Sequence, residues 1–274
     1  MIGEERASEA AGAANRSRPA PVVAVRALGV RFGGVVALDG VSLDLRAGEI
    51  LGVIGPNGAG KTTLLNCLSR LYTPTTGDIM LEGRSILGCA PHAMAGLGVG
   101  RTFQNVALFA SMTVRENVRV GAHARTASTF LTDAVRPPAT RRADAQEAAR
   151  ADDILRALGL AAAADRVVAD LPFGWRKRVE LARALAGEPK VLLLDEPAGG
   201  LAHEEAEALA QTLRQIRDER GLSILLIDHH MGLMMATSDR LVALHFGRTI
   251  AEGAPDAVRR DPAVIHAYLG AARS

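Results

Sequence analysis

The chain has 274 residues, of which 48% are hydrophobic, and its aromatic residues are six Phe, two Tyr and one Trp. Its 32 Lys and Arg against 30 Asp and Glu leave a net charge of +2, which excludes the broad basic surface of a nucleic-acid-binding protein. No apolar run approaches the ~18 residues that a membrane span needs, and no signal-peptide core is present, so we expect a soluble cytoplasmic protein.

The length allows a large core, built as one domain or two lobes. Cys67 and Cys89 lack the spacing of a metal site, and we expect small core residues rather than a disulfide.

The N-terminal residues 1–21 are rich in Ala, Glu, Arg, Ser and Gly and predict a disordered tail. Residues 22–45 then show short alternating apolar runs, separated at Gly33-Gly34 and Asp39-Gly40, which predict antiparallel β-structure. Phe32 lies among these turns, where an isolated Phe is more often a core residue than a ligand platform. Residues 80–83 predict a further strand and turn.

A glycine-rich loop between a predicted strand and a predicted helix is the most informative feature of the sequence. The apolar run of residues 50–54 leads into it, and the loop itself occupies residues 55–63. Its glycines let backbone N–H groups turn inward toward phosphate oxygens, and the helix that follows begins with unpaired N–H groups. Lys61 would add a positive charge at the β- and γ-phosphates, and the Thr62 hydroxyl would bind Mg²⁺.

The alternative is an ordinary glycine-rich turn. Only three lysines, Lys61, Lys177 and Lys190, occur in a chain whose other basic residues are arginines. A lysine in this loop therefore favours nucleotide binding, because its compact ammonium fits among phosphates.

The middle of the chain is predicted to be mainly helical. Residues 96–100 read as a flexible approach to residues 101–105, in which Gln104 carries no signal on its own. Residues from about 113 to 170 look helical, with a break at Pro137-Pro138. Their Arg and Asp residues are most simply a solvated helix face.

Two acids follow a second apolar run. Residues 191–194 predict a central strand of a parallel sheet, and Asp195 and Glu196 come directly after it. Ligands bind at the carboxyl ends of such strands, so Asp195 would hold the Mg²⁺ shell and Glu196 would polarise an attacking water. The alternative is a common acidic turn, which the upstream glycine loop disfavours.

A third apolar run, residues 223–227, ends in Asp228-His229-His230. Adjacent residues on an extended chain point to opposite faces, so the two imidazoles cannot easily bind one metal, and we expect one His beside the nucleotide phosphate. Residues 241–269 read as strand, turn, strand and a final helix after Pro262.

These pieces, in this order, resemble the nucleotide-binding subunit of an ATP-binding cassette (ABC) transporter over about residues 22–270. The resemblance implies an α/β fold with a P-loop RecA-like parallel sheet core, an antiparallel β subdomain and a helical subdomain at about residues 105–175. Residues 271–274 would form only the C-terminal end.

The resemblance also implies roles for individual residues. Phe32 resembles the aromatic that stacks on adenine, and Gln104 falls in what resembles the glutamine loop, which touches Mg²⁺ and senses the membrane partner. Asp195 and Glu196 look like the Walker B aspartate and the catalytic glutamate, and His229 looks like the switch histidine at the γ-phosphate. The loop that resembles Walker A supplies the remaining ATP-binding residues Gly55, Asn57, Gly58, Gly60, Lys61, Thr62 and Thr63.

Residues 101–114 and 246–270 are similar to one branch, the ATPases of branched-chain amino acid importers. This resemblance implies work at the cytoplasmic face of the membrane with two permease subunits, a second ATP-binding subunit, identical or different, and indirectly an external solute-binding protein. Leu108 and Phe109 are candidates for a groove that receives a permease helix, with ordinary core packing as the equal alternative.

Two positions depart from the family pattern. The signature Leu-Ser-Gly-Gly-Gln is replaced by Leu171-Pro172-Phe173-Gly174-Trp175, and the polar residue of the loop after Walker B is replaced by Ala202. Both features normally face the partner subunit's nucleotide.

Two alternatives to an importer ATPase are a soluble ABC ATPase of repair, translation or cluster assembly, and a generic P-loop kinase or GTPase. The single Walker A loop and the lack of long insertions argue against the first. The combination of Gln104, Asp195-Glu196 and His229 argues against the second.

Overall fold

The computed structural model describes residues 20–102, 107–122 and 138–271, and the strands within these residues form two sheets. In chain order they are β1 (Val23–Phe32), β2 (Val35–Leu45), β3 (Ile50–Ile54), β4 (Thr76–Leu81), β5 (Arg84–Ser85), β6 (Val99–Arg101), β7 (Val191–Asp195), β8 (Ser223–Ile227), β9 (Arg240–His245) and β10 (Arg248–Gly253).

The helices of the same residues follow or separate these strands. They are α1 (Lys61–Leu68), α2 (Ala93–Gly96), α3 (Val114–Ala122), α4 (Pro138–Ala157), α5 (Phe173–Ala186), α6 (His203–Arg220), α7 (Met231–Thr237), α8 (Pro255–Arg260) and α9 (Pro262–Ala271). Short 3-10 turns at Ala161–Ala163 and Val168–Asp170 connect α4 to α5. In the described part of the chain, no helix combines the length and the apolar character needed to cross a membrane.

The larger sheet has the order β10-β9-β3-β8-β7-β6 and is parallel except for the antiparallel β10. Its inner strands are buried on both faces. In β7, Leu192 and Leu194 join the core that contains helices α3 to α7, whereas Val191 and Leu193 join the core shared with the smaller sheet. Apolar residues at every position are what a sheet covered on both sides requires, because successive side chains point to opposite faces.

The smaller sheet has the order β2-β1-β4-β5 with antiparallel pairing throughout. The predicted β-structure at residues 22–45 is therefore confirmed, as is the strand that ends before the turn at Glu82-Gly83. The predicted break at Asp39-Gly40 is instead a register shift inside β2, where Gly40 has a φ of 71°. Glycine adopts this left-handed conformation without steric cost.

One prediction for the middle of the chain is wrong. Residues 96–100 are not a flexible approach, since Gly96 ends α2 and Val99 begins the edge strand β6, which pairs with β7 from Val99 opposite Val191 onward. A long-range pairing overrides the local preference of a glycine-rich run. In the final segment the strand, turn, strand and last helix are confirmed, and α8 is an additional helix that begins with Pro255.

The predicted domain limits fall mostly at the edges of the described residues. The tail of residues 1–21 lies outside them except for Ala20 and Pro21, and residues 272–274 also lie outside. The predicted limit of the helical subdomain at about residue 175 falls within α5, and this limit stays a prediction.

Of the cysteines, Cys67 is buried, Cys89 is half-buried, and both are free thiols. Burial raises the pKa of the Cys67 thiol to about 11, as expected for an unreactive core residue.

Candidate functional site

The predicted site residues lie at the carboxyl-end edge of the larger sheet. Strands β3, β8 and β7 are parallel neighbours, so the segments after Ile54, Ile227 and Asp195 meet at the same edge. This brings together the glycine loop, the Asp195-Glu196 pair and the Asp228-His229 pair. Gln104 lies outside the described residues.

At two glycines of the loop, the backbone lies so close to neighbouring carbonyl oxygens that a side chain would not fit. A Cβ added to Gly55, whose φ is 153°, would lie 2.3 Å from the carbonyl oxygen of Leu244. A Cβ on Gly60, whose φ is 101°, would lie 2.6 Å from the carbonyl oxygen of Ala37. Both positions therefore require glycine. The helix α1 begins at Lys61, directly after the loop, and its first N–H groups have no acceptor within the helix.

The Lys61 side chain hydrogen-bonds to the backbone of this loop. Its Nζ donates hydrogen bonds to the carbonyl oxygens of Gly55 at 2.7 Å and Pro56 at 3.0 Å. Burial lowers the pKa of Lys61, and the nearby carboxylates of Glu196 and Asp195 oppose that shift. The ammonium thus lies within electrostatic reach of both acids that the sequence predicts to act with it. Thr62 is exposed and Thr63 half-buried at the start of α1, and Asn57 and Gly58 are exposed on the loop.

Asp195 is buried at the end of β7, with a relative exposure of 2%. Its Oδ2 lies 3.2 Å from Nη2 of Arg101, and both side chains are buried. Burial raises the pKa of Asp195, while the charge and the hydrogen bond of Arg101 act to lower it. Arg101 also donates to the hydroxyl of Ser69 at the end of α1, so one guanidinium connects this helix to Asp195.

Glu196 adopts a left-handed backbone conformation with a φ of 48°, which is unusual for a residue with a side chain. The turn is held by its N–H, which donates to the carbonyl oxygen of Ile227 at 2.8 Å, and by Lys177, whose Nζ donates to the Glu196 carbonyl oxygen at 3.3 Å. The chain reverses immediately after the buried Asp195, and the side chain of Glu196 remains 25% exposed at the site.

His229 lies beside Glu196 and Asp228 but forms no hydrogen bond to either carboxylate. Its Nδ1 is 3.8 Å from Oε2 of Glu196 and 3.9 Å from Oδ1 of Asp228, both beyond hydrogen-bond length. The ring is 65% exposed. His230 has a different role, since its Nδ1 accepts the N–H of Leu233 at 3.1 Å and caps α7. Among the described residues, no three or more His, Cys, Asp or Glu side chains form a group that could hold a metal ion.

Asp228 and Arg101 are residues that the sequence reasoning did not single out. The carboxylate of Asp228 is fully buried and accepts two backbone N–H groups, from Ala198 at 2.9 Å and from His230 at 2.8 Å. It therefore joins the loop after Glu196 to the loop that carries His229. The only sequence signal was a carboxylate at the end of a buried strand, next to the predicted switch histidine.

Phe32 is 47% exposed at the end of β1, and its ring meets Tyr72 edge to face with centroids 5.3 Å apart. This exposure favours a platform over the core position that an isolated Phe most often takes. Of the two groove candidates, Leu108 packs partly against the helical core, whereas Phe109 is 48% exposed.

The altered signature loop forms the start of α5. Pro172 is the N-cap residue, and its carbonyl oxygen accepts the N–H groups of Trp175 and Arg176, both at 3.1 Å. Trp175 is half-buried and packs against the helical core. The substituted residue of the other loop, Ala202, precedes α6, and its N–H donates to the carboxylate of Glu205 at 3.0 Å.

Comparison with known proteins gives consistent matches. Residues 38–199 match the family model of the ABC transporter, and residues 248–273 match the model of the branched-chain amino acid ATP-binding cassette transporter. The chain is 43% identical over 252 residues to the high-affinity branched-chain amino acid transport ATP-binding protein LivG of Salmonella typhimurium, covering 92% of this chain and 99% of that protein. It is 41% identical to BraF of Pseudomonas aeruginosa, a protein of the same description, with the same coverage.

Solved structures of ATP-binding cassettes are also similar to this chain. A nucleotide-free ATP-binding cassette from an ABC transporter has 29% identity and a TM-score of 0.78, covering 90% of this chain and 98% of that one. The ADP conformation of an ATP-binding cassette has 29% identity and a TM-score of 0.79, covering 92% of this chain and all of the other.

Proposed function

This chain belongs to the ABC transporter family of ATP-binding proteins, and we propose that it is the ATPase subunit of an importer for branched-chain or related amino acids. The matches to family models, relatives and solved structures confirm the resemblance drawn from the sequence. They also confirm the α/β P-loop fold and the ATPase activity. A soluble ABC ATPase outside transport is not favoured, because the relatives that match nearly the whole chain are transport proteins.

The observation that supports our assignment of the site is the placement of Lys61 within electrostatic reach of Asp195 and Glu196. Lys61 binds the triphosphate, and its bonds to the Gly55 and Pro56 carbonyls are those that phosphate oxygens would compete for. Gly55, Gly58 and Gly60, with Asn57 and Thr63, line the phosphate cradle, and Phe32 stacks on the adenine.

The residues that would hold Mg²⁺ are Thr62 and Asp195, together with Gln104. Hydroxyl, carboxylate and amide oxygens are the donors that this ion prefers, so the set fits it. When bound, Mg²⁺ neutralises charge on the β- and γ-phosphate oxygens. Arg101 holds the Asp195 carboxylate in place through the 3.2 Å contact.

Hydrolysis depends on Glu196 as the group that accepts a proton from the attacking water. Its strained backbone aims the carboxylate out of the buried strand and toward the loop edge where Lys61 lies. His229 contacts the γ-phosphate in this proposal, and its position 3.8 Å from the Glu196 carboxylate supports that role.

The subunit works as one of a pair with two membrane permeases, and indirectly with an external solute-binding protein. It lies at the cytoplasmic face of the membrane, attached through the permeases. The half-exposed ring of Phe109 supports a permease contact at this position better than Leu108, which packs into the core.

The test uses the complete importer in lipid vesicles with labelled leucine, isoleucine and valine. Glu196→Gln should retain MgATP binding but reduce the ATPase rate by about 10²- to 10⁴-fold, because an amide cannot accept the proton, and uptake should fall with it. The control is Glu219→Gln, which alters an exposed carboxylate of α6.

Normal hydrolysis in the Glu196→Gln complex would overturn the catalytic assignment. ATP hydrolysis without uptake of any of the three amino acids, in the wild-type complex, would overturn the substrate assignment alone.

A further inference from the structure

The C-terminal helix α9 packs against the rest of the chain through one of its faces. Val264 and Ala267 are buried, with exposures of 4% and 2%, and Tyr268 lies on the same side because residues three and four positions apart share a helix face. Ile265 and Leu269 on the other side are 45% and 65% exposed. The helix thus has a fixed orientation, which determines where the Tyr268 hydroxyl lies.

That hydroxyl reaches the phosphate-binding loop. The Tyr268 oxygen accepts the N–H of Gly55 at 2.9 Å, a bond between residues 213 positions apart. Burial raises the pKa of Tyr268, and the hydrogen bond from Gly55 opposes that shift. Gly55 is the first residue after β3, and its other side is pressed against the Leu244 carbonyl.

Gly55 is therefore bonded through both of its peptide groups. Its N–H is held by Tyr268 and its carbonyl oxygen by the ammonium of Lys61. A shift of Gly55 would move the acceptor of the lysine that binds the triphosphate. The contact with α9 consequently acts on the loop at the point where the loop leaves the rigid sheet.

We propose that Tyr268 is a positioning residue for the phosphate-binding loop, and that this contact couples the C-terminal helix to nucleotide occupancy. The proposal rests on the nucleotide-binding role given above. A loop held in its binding conformation gains affinity, since less of the binding free energy is spent on ordering it. Coupling between two sites is reciprocal, so nucleotide in the loop must in turn stabilise the docked helix.

The first experiment measures MgADP binding to the full chain by calorimetry. Tyr268→Phe removes only the hydroxyl and should weaken binding about two- to tenfold, the change that corresponds to one neutral hydrogen bond. The matched control is Leu269→Ala, on the exposed side of the same helix, which should bind MgADP like the wild type.

Amide hydrogen exchange supplies a readout that general destabilisation would not produce. In Tyr268→Phe, exchange should become faster at Gly55, while the inner strands β7 and β8 keep their protection. In the wild type, MgADP should slow exchange across residues 262–269, and this protection should shrink in Tyr268→Phe.

Equal affinity and equal Gly55 exchange in Tyr268→Phe and the wild type would overturn the proposal, as would the same loss in Leu269→Ala. Absence of nucleotide protection at residues 262–269 in the wild type would also overturn it without any variant. If the wild type bound no nucleotide at all, the proposed function itself would fail.

Discussion

At the scale of single residues, the site depends on two buried carboxylates with different neighbours. Asp195 faces a guanidinium, the side chain of Arg101, whereas Asp228 faces the backbone N–H groups of Ala198 and His230. A buried charge is tolerated only when it is paired or hydrogen-bonded in this way. We expect the first carboxylate to serve the metal and the second to hold two catalytic loops in register.

Asp228→Asn tests the second role. An amide has one acceptor oxygen and would face one of the two N–H donors with its own NH₂ group, so one hydrogen bond to a charged group is lost, about 1.5–3 kcal/mol. Since the hydrogen bonds of the Asp228 carboxylate come from Ala198 and His230 and not from the glycine loop, we expect kcat of the assembled complex to fall by about tenfold or more while ATP affinity stays close to that of the wild type.

The comparison for this variant is Asp256→Asn, which changes an exposed carboxylate on α8. Unchanged kcat in Asp228→Asn, with a normal thermal unfolding midpoint, would show that the two loops do not need this carboxylate.

At the scale of elements, the start of α5 departs from the family's signature at Pro172 and Trp175. Pro172 has no N–H to donate and no hydroxyl, and Trp175 packs against the helical core instead of presenting a polar group. The N-terminus of α5 still offers the N–H of Gly174, so we expect the loop to be weakened rather than lost. In the family, this loop faces the nucleotide of the partner subunit.

We therefore expect the nucleotide on this chain's own Lys61 loop to be the main one hydrolysed, provided that the partner brings a complete signature. Each lost hydrogen bond to a phosphate costs about 1.5–3 kcal/mol, or about 10- to 150-fold in rate. In the whole complex, Glu196→Gln should lower the ATPase rate more than the matching change in the partner. Equal losses would mean that both sites work equally and that Trp175 only packs.

The same complex can test whether a hydroxyl at position 172 of the altered signature loop restores ATPase activity. With Glu196→Gln silencing this chain's site, adding Pro172→Ser should raise the residual rate, because Pro172 is exposed and its replacement removes little packing. A residual rate that Pro172→Ser leaves unchanged would contradict the weakened-loop explanation.

At the scale of the whole molecule, the site is open on the side that a partner would cover. Phe32, His229 and the Asn57-Gly58 turn are all exposed in the single chain. In the family, the partner's signature loop completes the site with N–H donors to phosphate. If this chain works in the same way, a single chain lacks the donors that the partner's signature loop would supply.

We expect the isolated chain to bind MgATP but to hydrolyse it about 10- to 150-fold more slowly than the complex, the rate equivalent of one missing charge-assisted hydrogen bond. Steady-state rates of the chain alone, with its partner, and with both permeases provide the measurement. Copurification with the permeases should accompany the faster rate. A stable monomer as active as the full complex would rule out this dependence on assembly.

The sequence alone located the motifs whose residues follow one another. The glycine loop, the Asp195-Glu196 pair and the Asp228-His229-His230 run were found because each begins where a buried strand ends, and the family resemblance then singled out His229. The roles assigned to these residues and the domain limits stay predictions, and Gln104 lies outside the described residues.

Only the tertiary structure decided which distant residues meet at these motifs. Arg101 reaches Asp195 over 94 positions because β6 lies at the sheet edge next to β7, an arrangement that its glycine-rich sequence did not indicate. Asp228 joins Ala198 over 30 positions, and Tyr268 reaches Gly55 over 213. Local patterns specify each strand and helix, whereas the order in which strands pair is set by packing of the whole chain, and these contacts depend on that order.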